Sequence, residues 1–270
     1  MHELPLVFFT VLGQTAVGMM LLAFIAGLVG QITNAQRHKI NLVAVILFAV
    51  GMAIGGLHMG QPQRAINLLF GLFRSPMSNE IVLSGLYFGC AFLTVALSAP
   101  RLRDILKSKF NVTVTDTLHQ WLNGIAVLLG LAFAWSITQV YQLATVPAWN
   151  SHYTSLHLWL TVAISGGMCA LALGAKRLGA LAVIVGAAIS FATRTGYMAF
   201  LTEQVPHLVN AQTMFWYTYL FAMTIALVLA LWVLLKKQAV KPLLFSGAAL
   251  MILGELASRI TFYNLWWITM

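Results

Sequence analysis

The chain has 270 residues, 60% of them hydrophobic and only 8% charged. A soluble domain carries about a quarter charged residues, so this composition excludes an ordinary soluble globule and points to an integral membrane protein. The formal net charge of +9 is no sign of nucleic-acid binding, because membrane proteins gather Lys and Arg in their cytoplasmic loops.

A membrane-crossing helix needs about 20 largely apolar residues. Eight runs qualify: Phe8–Gly30, Ile40–His58, Glu80–Ala99, Leu118–Leu143, Ser155–Ala175, Leu178–Leu201, Met214–Leu235 and Pro242–Trp267. The first follows MHELP, which lacks a basic n-region, and it continues well past signal-peptide length, so no cleavable signal is expected. Gln14 falls in the first half of this run. The second run ends at His58, where Gly60 and Pro62 form a helix-stop pattern. Arg64 lies in the connecting loop. Ser75-Pro76 then reads as a cap and first turn for the third helix, with Glu80 one turn inside it. His119 sits at the start of the fourth run and reads as an interfacial residue, and His157 sits near the start of the fifth. The link Ala175–Leu178 is so short that the fifth and sixth spans risk being one helix wrongly divided. Arg194, in the sixth, reads as a snorkelling residue or a partner of Glu203. On the last run Glu255 and Arg259 are four residues apart on one face, a spacing that reads as a structural pair, and Tyr263 continues that face. Cys90 and Cys169 are isolated in apolar segments and read as small buried hydrophobes. The predicted fold is an all-α membrane protein, an eight-transmembrane-helix bundle forming a single domain over residues 1–270.

The basic residues orient it. Of the 15 Lys and Arg, eleven fall in the loops after the odd-numbered spans, only Arg64 and Arg74 in the opposite loops, and Arg194 and Arg259 within helices. The positive-inside bias predicts that the odd-numbered loops are cytoplasmic and that both termini, with the loops Met59–Asn79, Ala144–Thr154 and Thr202–Thr213, are periplasmic. His58, Glu80, Arg64, Gln14, Arg194 and His157 then all lie toward the outer face, and the inner halves of the helices hold few such groups. Ionisable residues at membrane depth are costly and mark function by default. Each also has a plainer reading: His58 as a helix-end residue at headgroup level, Glu80 as a carboxylate favoured by its helix dipole. A one-sided polar cluster argues for a site open to the outer leaflet. The rival reading, a small-molecule or ion transporter, calls for broken helices near the midplane, and no convincing Gly/Pro-interrupted pair is present.

Four stretches, HELPLVFFTVLGQ, LHMGQPQRAINLL…SNE, VY…TVPAW and GELASR…FY, in this order and spacing, resemble the membrane anchor subunit of bacterial dimethyl sulfoxide reductase and its close paralogues. Trp266-Trp267 departs from that pattern. The resemblance implies a subunit of the bacterial inner membrane that holds a molybdopterin catalytic subunit and an iron–sulfur electron-transfer subunit, and that oxidises menaquinol in anaerobic respiration. It places the family's quinol-site His and Glu on His58 and Glu80, with Arg64 in the same stretch. These three, with Gln14, are the candidate quinol-binding residues, and His58 and Glu80 the candidate catalytic ones. The chemistry is consistent: quinol oxidation releases two protons, neutral imidazole can accept one, and a carboxylate can pass on another. Two isolated cysteines cannot ligate an iron–sulfur cluster. A bis-His haem between His58 and His157 is the one haem geometry to weigh, and the family carries no haem here. No haem or cluster is expected in this chain, so its electrons need a docked redox partner. A purely structural anchor is the remaining alternative. The terminal electron acceptor is set by another chain.

Overall fold

The computed structural model describes residues 3–58, 60, 62–236 and 240–266, and for 62–66 the backbone alone. The elements in order are α1 (Leu4–Leu28), α2 (Asn34–Gly56), a 3-10 segment (Pro62–Gly71), α3 (Pro76–Ala96), α4 (Pro100–Phe110), α5 (Asp116–Tyr141), α6 (His152–Leu173), α7 (Lys176–Gln204), α8 (Pro206–Val209), a single 3-10 turn (Asn210–Gln212), α9 (Thr213–Lys236) and α10 (Lys241–Asn264). No strand occurs among the described residues. Among the described residues, eight helical stretches are long and apolar enough to cross a membrane: α1, α2, α3, α5, α6, α7, the continuous stretch Pro206–Lys236, and α10. Each coincides with one predicted run, and the chain is a multi-pass membrane protein.

Local chemistry sets the boundaries. At the start of α2, Thr33 Oγ1 accepts from the Gln36 N–H at 3.2 Å while Gln36 Oε1 accepts from the Thr33 N–H at 2.9 Å. This reciprocal pair satisfies two donors that a helix start leaves free. Ser75 caps α3 and Pro76 occupies its first turn, as the sequence predicts. The short link between the fifth and sixth spans is a true break: Gly174 takes φ +124°, a conformation closed to residues with a β-carbon, and α7 doubles back to pack along α6.

The spans form two groups, α1, α2, α3 and α5 on one side and α6, α7, α9 and α10 on the other, joined chiefly where α1 packs on α6 and α10. In lipid, apolar surface gives helices no reason to associate, so close packing and buried polar contacts must hold the bundle. Both occur at the seam. Gly18 of α1 and Gly166 of α6 face each other with no room for a side chain. Beside them Thr15 and Ser165 share a buried hydrogen bond of 2.8 Å.

Two features are added to the sequence expectations. The cytoplasm-assigned loop between the third and fourth spans contains the helix α4, eleven residues with Lys107 and Lys109 in its last turn, closed by Asn111 in the left-handed region. His119, in the first turn of α5, is also buried against the protein. Its Nε2 lies 2.9 Å from the Thr94 carbonyl oxygen and 2.8 Å from Ser98 Oγ. A carbonyl only accepts, so Nε2 carries the proton, and the ring ties the start of α5 to the end of α3. His119→Ala should cost about 0.5–1.5 kcal/mol, the worth of the lost tie between the two helices, since the Ser98 hydroxyl still donates to the Thr94 carbonyl at 2.8 Å. A thermal unfolding series of the purified complex checks this.

Candidate functional site

The break between α2 and α3 opens a cavity. α2 stops at Gly56, Leu57 ends it, and His58 sits in the following turn. The chain returns through the 3-10 segment, and α3 carries Glu80 one turn in. His58 and Glu80 thereby line one cavity of about 460 Å³, within the range of small-molecule sites. Leu6 and Phe9 of α1, Met52 of α2, Met77 and Ile81 of α3 and Val140 of α5 make its walls mostly apolar. Glu3 and Trp266, next to the two chain ends, line it together, so the chain enters and leaves the bundle at this same end.

The polar groups are graded in depth. The His58 and Glu3 side chains are 38% and 49% exposed, with His58 Nε2 3.9 Å from Glu3 Oε2, and they form a wet rim. Glu80 is only 6% exposed and belongs to the inner wall, where Ser84 also lies but spends its hydroxyl on the Ile81 carbonyl at 2.7 Å. Opposite stands an aromatic wall. The Tyr141 and Tyr263 hydroxyls are hydrogen-bonded to each other. Trp149 donates its Nε1–H to the Phe262 carbonyl at 2.8 Å and stacks on the Phe262 ring at 5.0 Å. This wall fastens the VPAW loop to the end of α10, so its shape does not depend on what fills the cavity.

Of the other sequence candidates, the Arg64 side chain lies outside the described residues, as does Trp267. Gln14 is fully buried in α1 and is not among the residues lining this cavity. Its Oε1 accepts from Arg259 Nη2 at 2.7 Å. Arg259 also donates to Thr161 Oγ1 at 3.1 Å, and Thr161 Oγ1 donates to Glu255 Oε2 at 2.9 Å. The expected Glu255–Arg259 pair is therefore indirect: a threonine hydroxyl from α6 is wedged between the charges while Gln14 draws the guanidinium toward α1. Arg194 does not pair with Glu203. Its guanidinium carbon lies 3.9 Å above the Trp216 ring, a cation–π contact that needs no acid. His157 stacks on Tyr197 at 4.8 Å and lines a second, much smaller cavity, so it does not face His58.

Tyr141, Trp149 and Tyr263 escaped selection from the sequence as wall residues of the site. They carry no charge and are hidden among 16 Phe, 8 Trp and 7 Tyr. The one usable signal is that Tyr141 and Tyr263 each stand at the end of a long apolar run, where a hydroxyl is unusual enough to seek a partner.

Comparison with known proteins bears on this arrangement. The family model described as DMSO reductase anchor subunit (DmsC) matches residues 1–265. The chain belongs to the DMSO reductase anchor subunit family. It is 30% identical over 292 aligned residues to an anaerobic dimethyl sulfoxide reductase subunit of Escherichia coli, covering 98% of this protein and 95% of that one. It is 34% identical to a second Escherichia coli relative, the anaerobic dimethyl sulfoxide reductase chain YnfH, over 64% of this protein and 57% of the relative. It is 33% identical to an anaerobic dimethyl sulfoxide reductase subunit of Haemophilus influenzae over 62% of this protein and 56% of the relative. The matches to these last two thus span little more than half the length of each relative. As a DMSO reductase family anchor, the protein opens this cavity at the bundle end where α1 begins and α10 ends.

Proposed function

We propose that this chain anchors an S-oxide or N-oxide reductase in the bacterial inner membrane and oxidises menaquinol in the 460 Å³ cavity. The reading rests on one observation: His58, in the turn after α2, and Glu80, on α3, line a single, mostly apolar chamber. Oxidising a quinol to a quinone releases two protons and two electrons. His58 accepts one hydroxyl proton on a free ring nitrogen, and its half-exposed position lets it return that proton to water. Glu80, on the buried wall, accepts the other. Arg64, in the stretch between these two residues, is assigned a supporting role. Gln14 acts at one remove, by holding Arg259 one turn behind Tyr263. The apolar walls suit a fused aromatic ring and the start of an isoprenoid tail. The two electrons leave to an iron–sulfur subunit and then to a molybdopterin subunit, because two cysteines cannot hold a cluster here. Eleven of the Lys and Arg residues fall, in the sequence, between an odd-numbered apolar run and the next. The positive-inside bias therefore puts the cavity, both termini and the docked partners on the periplasmic side.

Plugging the cavity tests this. Gly56 lines it, and a β-carbon there would meet nothing within 4 Å. Gly56→Trp should therefore fold, project into the chamber and raise the KM of the complex for a short-chain naphthoquinol by about tenfold or more, the equivalent of about 1.4 kcal/mol. Turnover with a dye that reduces the iron–sulfur partner directly should not change. An unchanged naphthoquinol KM would assign the chain a purely structural role.

A further inference from the structure

Beside the large cavity, with Phe262 and Arg259 next to that cavity's Tyr263 on α10, the helices α6, α7, α9 and α10 line a second, partly open chamber of about 20 Å³. It is lined by His157, Thr161, Tyr197, Trp216, Glu255 and Arg259, among others. Four of these residues each have one buried polar atom with no hydrogen-bond partner among the described residues: His157 Nε2, Trp216 Nε1, Glu255 Oε1 and Arg259 Nη1. Glu255 and Arg259 are only 3% and 4% exposed. Buried polar groups are rarely left unmatched, and four around one void is a concentration that calls for a common partner.

We infer that this chamber is a built water site whose occupant completes the Glu255–Arg259 charge pair. The volume decides the class of ligand. A cavity of about 10–15 Å³ on this measure admits one water, and the chamber leaves no room for an organic molecule. The donor set matches as well. Arg259 Nη1 and Trp216 Nε1 can only donate, and Glu255 Oε1, in a carboxylate, can only accept. With its Nδ1 protonated, His157 offers a lone pair at Nε2. Water accepts two hydrogen bonds and donates two, which is the complement of that set. Thr161 already bridges the other Glu255 oxygen to the other Arg259 nitrogen. The water closes the second side of the bridge and joins α6, α9 and α10 through one molecule. Its place there does not depend on where quinol binds.

Ser258 of α10 also lines the chamber, and Ser258→Val gives a test by sign. If the chamber is dry, one methyl in place of the hydroxyl and a second added beside it fill a void and raise the unfolding midpoint of the purified complex, or leave it unchanged. If it holds the water, valine evicts it and strands four polar atoms, and the midpoint falls by about 2–4 °C or more. A midpoint that stays or rises overturns the inference. Should the variant fail to assemble, a density map of the unmodified complex, resolved well enough to show waters at other buried polar sites, decides it. A peak within hydrogen-bonding distance of Glu255 and Arg259 is expected there, and its absence overturns the inference.

Discussion

A complex carrying His58→Arg should assemble normally, keep full turnover with a direct electron-donating dye, and lose naphthoquinol-dependent turnover by about 10²–10⁴-fold, the usual contribution of a positioned acid–base group. Arginine is tolerated structurally because the His58 side chain is 38% exposed at the rim, beside Glu3. It cannot replace imidazole in the reaction, since a guanidinium stays protonated and has no lone pair to offer a hydroxyl. With Glu3 Oε2 already 3.9 Å from the His58 ring, the longer cation is also drawn across the cavity mouth. Glu80→Gln should give the same division between quinol and dye, because an amide keeps the size of the buried wall residue but cannot take up a proton. Steady-state kinetics with the two donors, on membranes with equal amounts of assembled complex, make the comparison. Quinol turnover near the unsubstituted level in either variant would remove that residue from the proton chemistry.

The sequence discloses this architecture unevenly, and the reasons are physical. Bilayer thickness forces an apolar run of about 20 residues for each span, so all eight are readable, and so is the cap at Ser75-Pro76. α4 is not, because eleven residues rich in charge leave no apolar run. The meeting of His58 and Glu80 can be foreseen because the loop between them returns the chain to the end it left. Gln14 and Arg259 are a different matter: they bond across nearly the whole sequence, and helical spacing carries no information about which faces meet. The same limit applies to Glu255 and Arg259. Their spacing correctly puts them on one face, yet a hydroxyl from another helix decides whether they touch. Arg194 shows it again, since the acid nearest in sequence, Glu203, loses to an aromatic ring on α9.

The seam between the two helix groups gives the largest expected structural effect. A β-carbon on Gly18 would lie 2.0 Å from the Val162 carbonyl oxygen and 3.0 Å from the Gly166 α-carbon, whereas comfortable carbon contacts lie at about 3.5–4.0 Å. Both obstacles are backbone, so no side chain can turn aside and the helices themselves must part. Parting them pulls on the Thr15–Ser165 bond of 2.8 Å and, one turn away, on the Arg259–Gln14 bond of 2.7 Å. Since lipid supplies no apolar driving force to hold α1 against α6, these losses are not recovered elsewhere. Gly18→Leu should cost more than about 3 kcal/mol, beyond ordinary overpacking, and should strip the membrane of assembled protein and of both quinol- and dye-dependent activity. Gly89 on α3 is the control: it is exposed, and a β-carbon there would have nothing within 4 Å, so Gly89→Leu should accumulate and melt like the unsubstituted protein. Quantifying membrane-bound protein for the two variants separates a packed seam from a general intolerance of leucine for glycine. If Gly18→Leu accumulated and melted as Gly89→Leu does, α1 and α6 would not approach as closely as the Thr15–Ser165 hydrogen bond requires.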